Sequence, residues 1–166
     1  MVRCVVAQRD YLLRLIEQVG QLLRRVIHQR EQQAPHEALQ SIMAACERLF
    51  GMEAVQIFQF TPDQHFDMLA NDDIPESARD RILMYAALNA EAGHCYVALK
   101  QPQLARQSFV NALRLTLKTR QQFPVDDWPS FAPDPTQLLR LVGEAPLDAD
   151  TLALIAAANL PGPSGL

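Results

Sequence analysis

The chain has 166 residues, of which 49 % are hydrophobic and 20 % charged, a balance typical of a folded globular domain rather than a disordered chain. Only six residues are Gly, whereas helix-forming Leu, Ala, Gln and Arg are abundant, so the composition predicts an all-α fold. The formal net charge of −4 argues against nucleic acid as a partner.

The first predicted helix runs from Gln8 to about Gln29, inside an amphipathic N-terminal segment over residues 1–30. Because its apolar residues are spaced three and four apart, it has the pattern of a helix that buries one seam. The seam consists of Leu12, Leu15, Val19, Leu22 and Val26. This face packs on the rest of the domain, on a second copy, or on both, and we predict a homodimer through it. A position on a membrane surface ranks last, because Asp10 and Glu17 interrupt the basic side.

Shorter helices are predicted next. A helix over roughly 35–50 ends at Gly51, which suits a left-handed C-terminal cap. Residues 53–60 fit either a strand or a helix, and the helix is favoured because one short strand has no partner. Thr61 and Gln64 form a capping-box pattern that starts the following helix.

A hairpin of two long helices is predicted over about 75–121, with a break at "KQPQ". The segment "QFPVDDWPSFAPDPTQ" holds four of the eleven prolines and predicts a loop. Short helices follow over Gln137–Val142 and near Leu152. Residues 161–166 are predicted to be a disordered tail.

Small and large residues inside the hairpin recur at positions where two antiparallel helices would touch. Gly93, Ala105 and Ala112 are small, whereas Tyr96 and Phe109 are large. Those spacings are typical of a tetratricopeptide repeat, a 34-residue helix–turn–helix unit, so the segment over about 86–119 resembles one such repeat.

The resemblance departs from the repeat pattern at Asn89, Ala92 and Leu117. It implies a fold of helical hairpins with a concave face whose ligands are protein segments. The N-terminal residues also resemble the opening of a family of small, uncharacterised bacterial proteins with helical, repeat-like bodies. That family has no assigned catalytic residues, and the likeness rests on Gln8, Asp10, Tyr11, Arg14, Ile16 and Glu17.

The repeat alignment places a peptide-binding groove on the concave face, and charge is unevenly distributed around it. Residues 92–125 carry net +5, whereas residues 53–91 carry net −6 and residues 126–166 net −5. Mutual attraction between these segments is favoured over an acidic ligand as the explanation. The predicted groove residues are Ala90, His94, Val97, Arg106, Arg114 and Lys118.

No pattern predicts catalysis, a cofactor or a metal ion. Adjacent helical residues point about 100° apart, so His94 and Cys95 do not share a ligand easily. The three cysteines, Cys4, Cys46 and Cys95, lack a CxxC spacing and predict a reducing, cytoplasmic location. No stretch is long enough to span a membrane. The paired carboxylates at 72–73 and 126–127 are interpreted as capping and solvated loop residues rather than as a cation site.

The sequence thus predicts an N-terminal helix over 1–30 and an α-helical repeat-like domain over 31–160. The predicted function is protein–protein interaction or scaffolding. One alternative is a small-molecule sensor with an apolar pocket near Tyr85, Tyr96 and Trp128. A less favoured alternative is an enzyme that uses Cys95 or His94.

Overall fold

The computed structural model describes residues 2–71, 74–124 and 126–162, with side chains from Val6 onward. This part of the chain contains eight α-helices and no strand, which confirms the all-α prediction. The helices are α1 (Val2–Glu31), α2 (Pro35–Phe50), α3 (Ala54–Ile57), α4 (Pro62–Ala70), α5 (Pro75–Ala98), α6 (Pro102–Gln122), α7 (Pro135–Val142) and α8 (Ala149–Ala157). None of the helices in the described ranges combines the length and apolar character needed to cross a membrane.

Local capping chemistry sets the helix ends largely as predicted. Gly51 adopts φ 67° after α2 and donates its N–H to the carbonyl of Glu47, and only a residue that tolerates the left-handed region fits there without strain. At α4, Thr61 Oγ1 accepts from the Gln64 N–H at 3.2 Å, and Gln64 Oε1 accepts from the Thr61 N–H at 2.8 Å. The favoured helix within residues 53–60 is confirmed as α3.

The relative directions of α1, α2 and α5 follow from the contacts between them. Gln18 accepts a hydrogen bond from Arg48, and Gln29 accepts one from Ser41, so α2 runs antiparallel to α1. Gly20 faces Met84, and Arg30 near the end of α1 pairs with Glu91 near the end of α5. The helices α1 and α5 therefore run in the same direction.

Two apolar clusters hold the helices together. The first lies among α1, α2, α4 and α5, with Val26, Leu49, Leu69 and Leu88 almost completely buried. The second joins the end of the α5–α6 hairpin to α7 and α8. The five repeat-signature residues, of which Tyr96 is only half-buried, lie inside the hairpin or against this second cluster: Gly93, Tyr96, Ala105, Phe109 and Ala112.

The predicted seam of α1 packs on the chain's own core. Val19 and Val26 are fully buried and Leu12 is nearly so, whereas Leu15 and Leu22 are half-buried at the edge. Because α2 and α5 lie against this side of α1, the seam is an internal contact. The seam therefore packs on the rest of the domain. A second copy of the chain would have to bind another face of α1.

The carboxylates at 126–127 are exposed in the loop that precedes α7, whereas those at 72–73 lie outside the described residues. The predicted tail begins with Pro161 and Gly162 in non-helical backbone, and its remaining positions, 163–166, also lie outside the described residues.

Candidate binding cleft

A cleft of about 310 Å³ lies between the C-terminal halves of α1 and α5, the loop before α7, and α7 itself. Its apolar lining comprises Leu23, Ile27, Ala87, Ala90, Phe131, Pro133, Leu138 and Leu141. Its polar lining comprises Arg30, Glu91, His94, Ser130, Asp134 and Gln137. Several residues of the loop and α7 are exposed at the mouth, among them Ser130, Gln137 and Leu141, so the cleft opens to solvent.

An ion pair joins the two parallel helices that form one wall of this cleft. Arg30 Nε donates to Glu91 Oε2, and the two side chains are 32 % and 14 % exposed. Partial burial of an unpaired carboxylate would be costly, and the guanidinium offsets that cost. Glu91 therefore forms its ion pair with Arg30 on α1.

His94 lies on the same side of α5 as Ala90, as predicted for the groove, and its ring forms part of the cleft wall. It is half-buried and meets the Phe109 ring edge-on, with ring centroids 5.1 Å apart. Burial lowers the pKa of His94, the nearby Arg30 charge acts in the same direction, and Glu91 opposes both. At neutral pH the ring is therefore an uncharged aromatic surface.

The neighbouring thiol points away from the cleft into the first apolar cluster. Cys95 is fully buried, and burial together with the Glu91 charge raises the pKa of its thiol to about 11. Burial likewise raises the pKa of Cys46 to about 12. A nucleophilic cysteine needs an accessible thiolate, whereas both described thiols are buried and have raised pKa values.

The predicted groove residues do not form one surface. Ala90 and His94 line the cleft, whereas Val97 is 57 % exposed one turn further along α5. Arg106 donates to the carbonyl oxygens of Val142, Ala145 and Pro146 and so holds the connection between α7 and α8. Of the predicted groove residues, the structure therefore brings Ala90 and His94 together at the cleft and places Arg106 elsewhere.

Arg114 and Lys118 bind carboxylates of their own chain on another side of α6. Arg114 reaches Asp63 at the start of α4 at 3.1 Å and Asp148 at the start of α8 at 2.9 Å. Lys118 contacts Asp63 at 3.2 Å and lies 4.4 Å from the ring centroid of Phe66. These contacts show ion pairs between the oppositely charged segments, as favoured from the sequence, and they engage two of the basic residues assigned to the groove.

The three aromatic residues of the small-molecule alternative lie in different surroundings. Tyr85 is buried in the first cluster, and its hydroxyl lies 3.1 Å from His65 Nδ1. Tyr96 packs against the second cluster. Trp128 lies in the loop before α7, and the Arg120 guanidinium carbon is 5.3 Å from the centroid of the Trp128 ring. They do not assemble into the predicted pocket.

Metal coordination has no support among the described residues, where no group of three or more His, Cys, Asp or Glu side chains is placed to hold an ion. His65 uses both ring nitrogens in hydrogen bonds within the fold. His65 Nε2 lies 2.7 Å from the carbonyl oxygen of Ile57, an atom that only accepts, so Nε2 carries the proton and Nδ1 accepts from Tyr85.

The described residues thus form an all-helical domain in which the cleft between α1, α5 and α7 combines an apolar wall, an internal ion pair and an uncharged imidazole. In comparisons with protein-family models, with curated proteins and with solved structures, nothing matches this chain.

Proposed function

We propose that this chain is a non-catalytic protein-interaction domain that binds a short segment of a partner protein in the cleft between α1, α5 and α7. The observation that carries the proposal is an apolar surface that remains accessible at the mouth. Leu141 is 36 % exposed, and Ile27 and Phe131 beside it are half-buried. Accessible apolar side chains beside a few polar groups are the usual make-up of a site for protein segments.

The size and charge of the cleft indicate what such a segment carries. A volume of about 310 Å³ lies at the lower end of small-molecule sites, roughly 300–1,000 Å³, and suits one or two anchoring side chains. Glu91 is already paired with Arg30. Asp134 is exposed at the rim, where it caps α7 by accepting the Thr136 N–H and forms no ion pair with any other residue that the structure describes. We therefore expect an apolar anchor flanked by a basic residue.

The proposed scaffold is a tetratricopeptide-like hairpin covered by further helices. It is supported by the burial of Gly93, Ala105 and Ala112 and by the close approach of Gly93 on α5 to Phe109 on α6, the pattern expected where two antiparallel helices pack closely. The proposal includes self-association through α1, which lets one scaffold present more than one cleft.

A random peptide library displayed on phage tests the cleft, with the full chain as bait. Selected peptides should share an apolar anchor next to Lys or Arg. The variant Leu141→Lys places a positive charge at the mouth, close to the basic residue of the peptide, and should weaken peptide binding at least tenfold, since burying an unpaired ammonium group costs more than ~1.4 kcal/mol.

The matched control is Leu152→Lys, because Leu152 is 42 % exposed on α8 and does not line the cleft. This variant should bind the selected peptides as the natural chain does. A library that yields no specific binder, or binders that tolerate Leu141→Lys as well as Leu152→Lys, would overturn the proposal.

A further inference from the structure

The N-terminal half of α1 exposes apolar residues on a side that the core does not use. Val6 is 53 % and Leu13 is 56 % exposed. They are seven residues apart, about two helical turns, so they share one side of the helix. The contact of Gln18 with Arg48 near the end of α2 places this half of α1 beyond the reach of that helix.

The charges around Leu13 are arranged so that this face complements a copy of itself. Arg9 lies four residues before Leu13 and Glu17 four residues after it, and both are exposed. In an antiparallel pair related by a two-fold axis at Leu13, Arg9 of each helix faces Glu17 of the other, because their numbers sum to twice thirteen. The two leucines meet on the axis.

We propose that a second copy of this chain docks on this face, with the two α1 helices antiparallel and crossing at Leu13. The inference deepens the self-association in the proposed function and rests on it. Residues 9, 13 and 17 form a ridge with four-residue spacing, the kind that interdigitates in the commonest class of helix packing. The buried seam stays within each chain, so dimerisation requires no unfolding.

The dimer leaves both clefts free. Ile27 in the cleft lies fourteen residues from Leu13, about 21 Å along the helix at 1.5 Å per residue. Antiparallel pairing therefore places the two clefts toward opposite ends of the pair, with their Ile27 residues on the order of 40 Å apart. Such an assembly would bind two partner segments at once.

Sedimentation equilibrium of the full chain and its charge-reversal variants tests the pairing. The natural chain should dimerise. Arg9→Glu and Glu17→Arg should each weaken the dimer about tenfold or more, because each change creates two symmetric like-charge contacts where two attractive ones were. An equimolar mixture of the two variants should restore association, since every cross-pair is then of opposite sign, and so should the double variant.

Arg25→Glu is the matched control. It reverses an exposed charge on the same helix, about 120° around the axis from Leu13, and should leave the dimer intact. Unchanged thermal unfolding of each variant shows that the fold is kept. A monomeric natural chain up to high micromolar concentration overturns the pairing, as do reversals without effect and a mixture that fails to restore association. The cleft proposal survives such a failure, because a monomer also binds the selected peptides.

Discussion

The Phe109 ring on α6 fills the space that a side chain at Gly93 on α5 would need. A Cβ placed on Gly93 would lie 2.4 Å from Cε1 of Phe109, whereas nonbonded carbons prefer roughly 3.5–4.0 Å. Both residues are buried, and Gly93 lies within a regular helix rather than at a turn. The need for glycine here is steric, and it explains why a residue that weakens helices lies inside the C-terminal half of α5.

Gly93→Ala should therefore destabilise the fold. Alanine favours a helix over glycine by about 1 kcal/mol, but the methyl group forces the aromatic ring or the helix to move. Overpacking of this kind typically costs about 1–3 kcal/mol. We expect a net loss in the free energy of unfolding, measured by urea denaturation.

Gly20→Ala on α1 is the matched control for that experiment. A Cβ there would lie 3.8 Å from Met84 Cε, an ordinary van der Waals distance, so only the helix-forming gain remains. This variant should be more stable by up to about 1 kcal/mol. If both alanine variants shifted the free energy of unfolding in the same direction, contact with Phe109 would not be the reason that position 93 requires glycine.

Arg114 should give the protein a pH-dependent component of stability. Partial burial acts to raise the pKa of Asp63, but the hydrogen bonds and charges of Arg114 and Lys118 outweigh it and lower that pKa. A hydrogen bond from the Thr151 hydroxyl leads the causes that lower the pKa of Asp148, and the Arg114 charge adds to it. Because both folded-state values lie below the ordinary value of about 3.9, this stabilisation is present above that pH and disappears as the pH falls through the lowered values.

Arg114→Gln should flatten this acid-side loss, measured as the urea midpoint between about pH 6 and pH 3. The carboxylates are 56 % and 54 % exposed, so solvent screening limits the pH-dependent part to about 1 kcal/mol. Arg106→Gln is the control, because Arg106 binds carbonyl oxygens, which do not titrate. An equal pH dependence in both variants would contradict the role given to Arg114.

The two buried thiols should be nearly inert in the folded chain. The Cys4 side chain lies outside the described residues, so the measurement uses a Cys4→Ser background. With pKa values raised to about 12 for Cys46 and about 11 for Cys95, almost no thiolate exists at pH 8, and access is blocked as well. Ellman's reagent should react at least about a hundredfold more slowly than with the urea-unfolded chain. A thiol that reacts at the unfolded rate would favour the enzyme alternative instead.

Local chemistry explains why the helix boundaries were predictable. Proline at a first helical position, the Thr61–Gln64 capping box and the left-handed Gly51 act within a few residues, so the sequence displays them directly. The heptad seam of α1 was different, because its spacing shows that one face is buried and leaves open whether α2 and α5 or a second copy covers it.

The cleft depends on contacts that no local pattern encodes. Ile27 and Leu141 are separated by more than one hundred residues and meet only through the packing of α1, α5 and α7. Glu91 precedes His94 by three residues, about one helical turn, yet its ion-pair partner is Arg30 on another helix. The net charges of the segments predicted which parts of the chain attract one another. They did not predict that Arg114 pairs with two carboxylates, because that pairing depends on where α4 and α8 lie in the fold.

The hydrogen bond between Tyr85 and His65 should contribute measurably to stability. Tyr85→Phe removes the hydroxyl that lies 3.1 Å from Nδ1 and leaves a buried acceptor without its donor, a change that costs about 1–3 kcal/mol. Tyr11→Phe is the control, since Tyr11 is 65 % exposed and should change stability by less than about 0.5 kcal/mol.

A double-mutant cycle with His65→Leu separates this bond from other effects of each substitution. His65→Leu also removes the contact with the Ile57 carbonyl, but that loss appears in both arms of the cycle and cancels. The coupling between the two side chains should be about 1 kcal/mol. Strictly additive losses would mean that the hydroxyl and the imidazole stabilise the fold only through packing, and α4 would then be held on α5 by Phe66 and Leu69 rather than by a polar link.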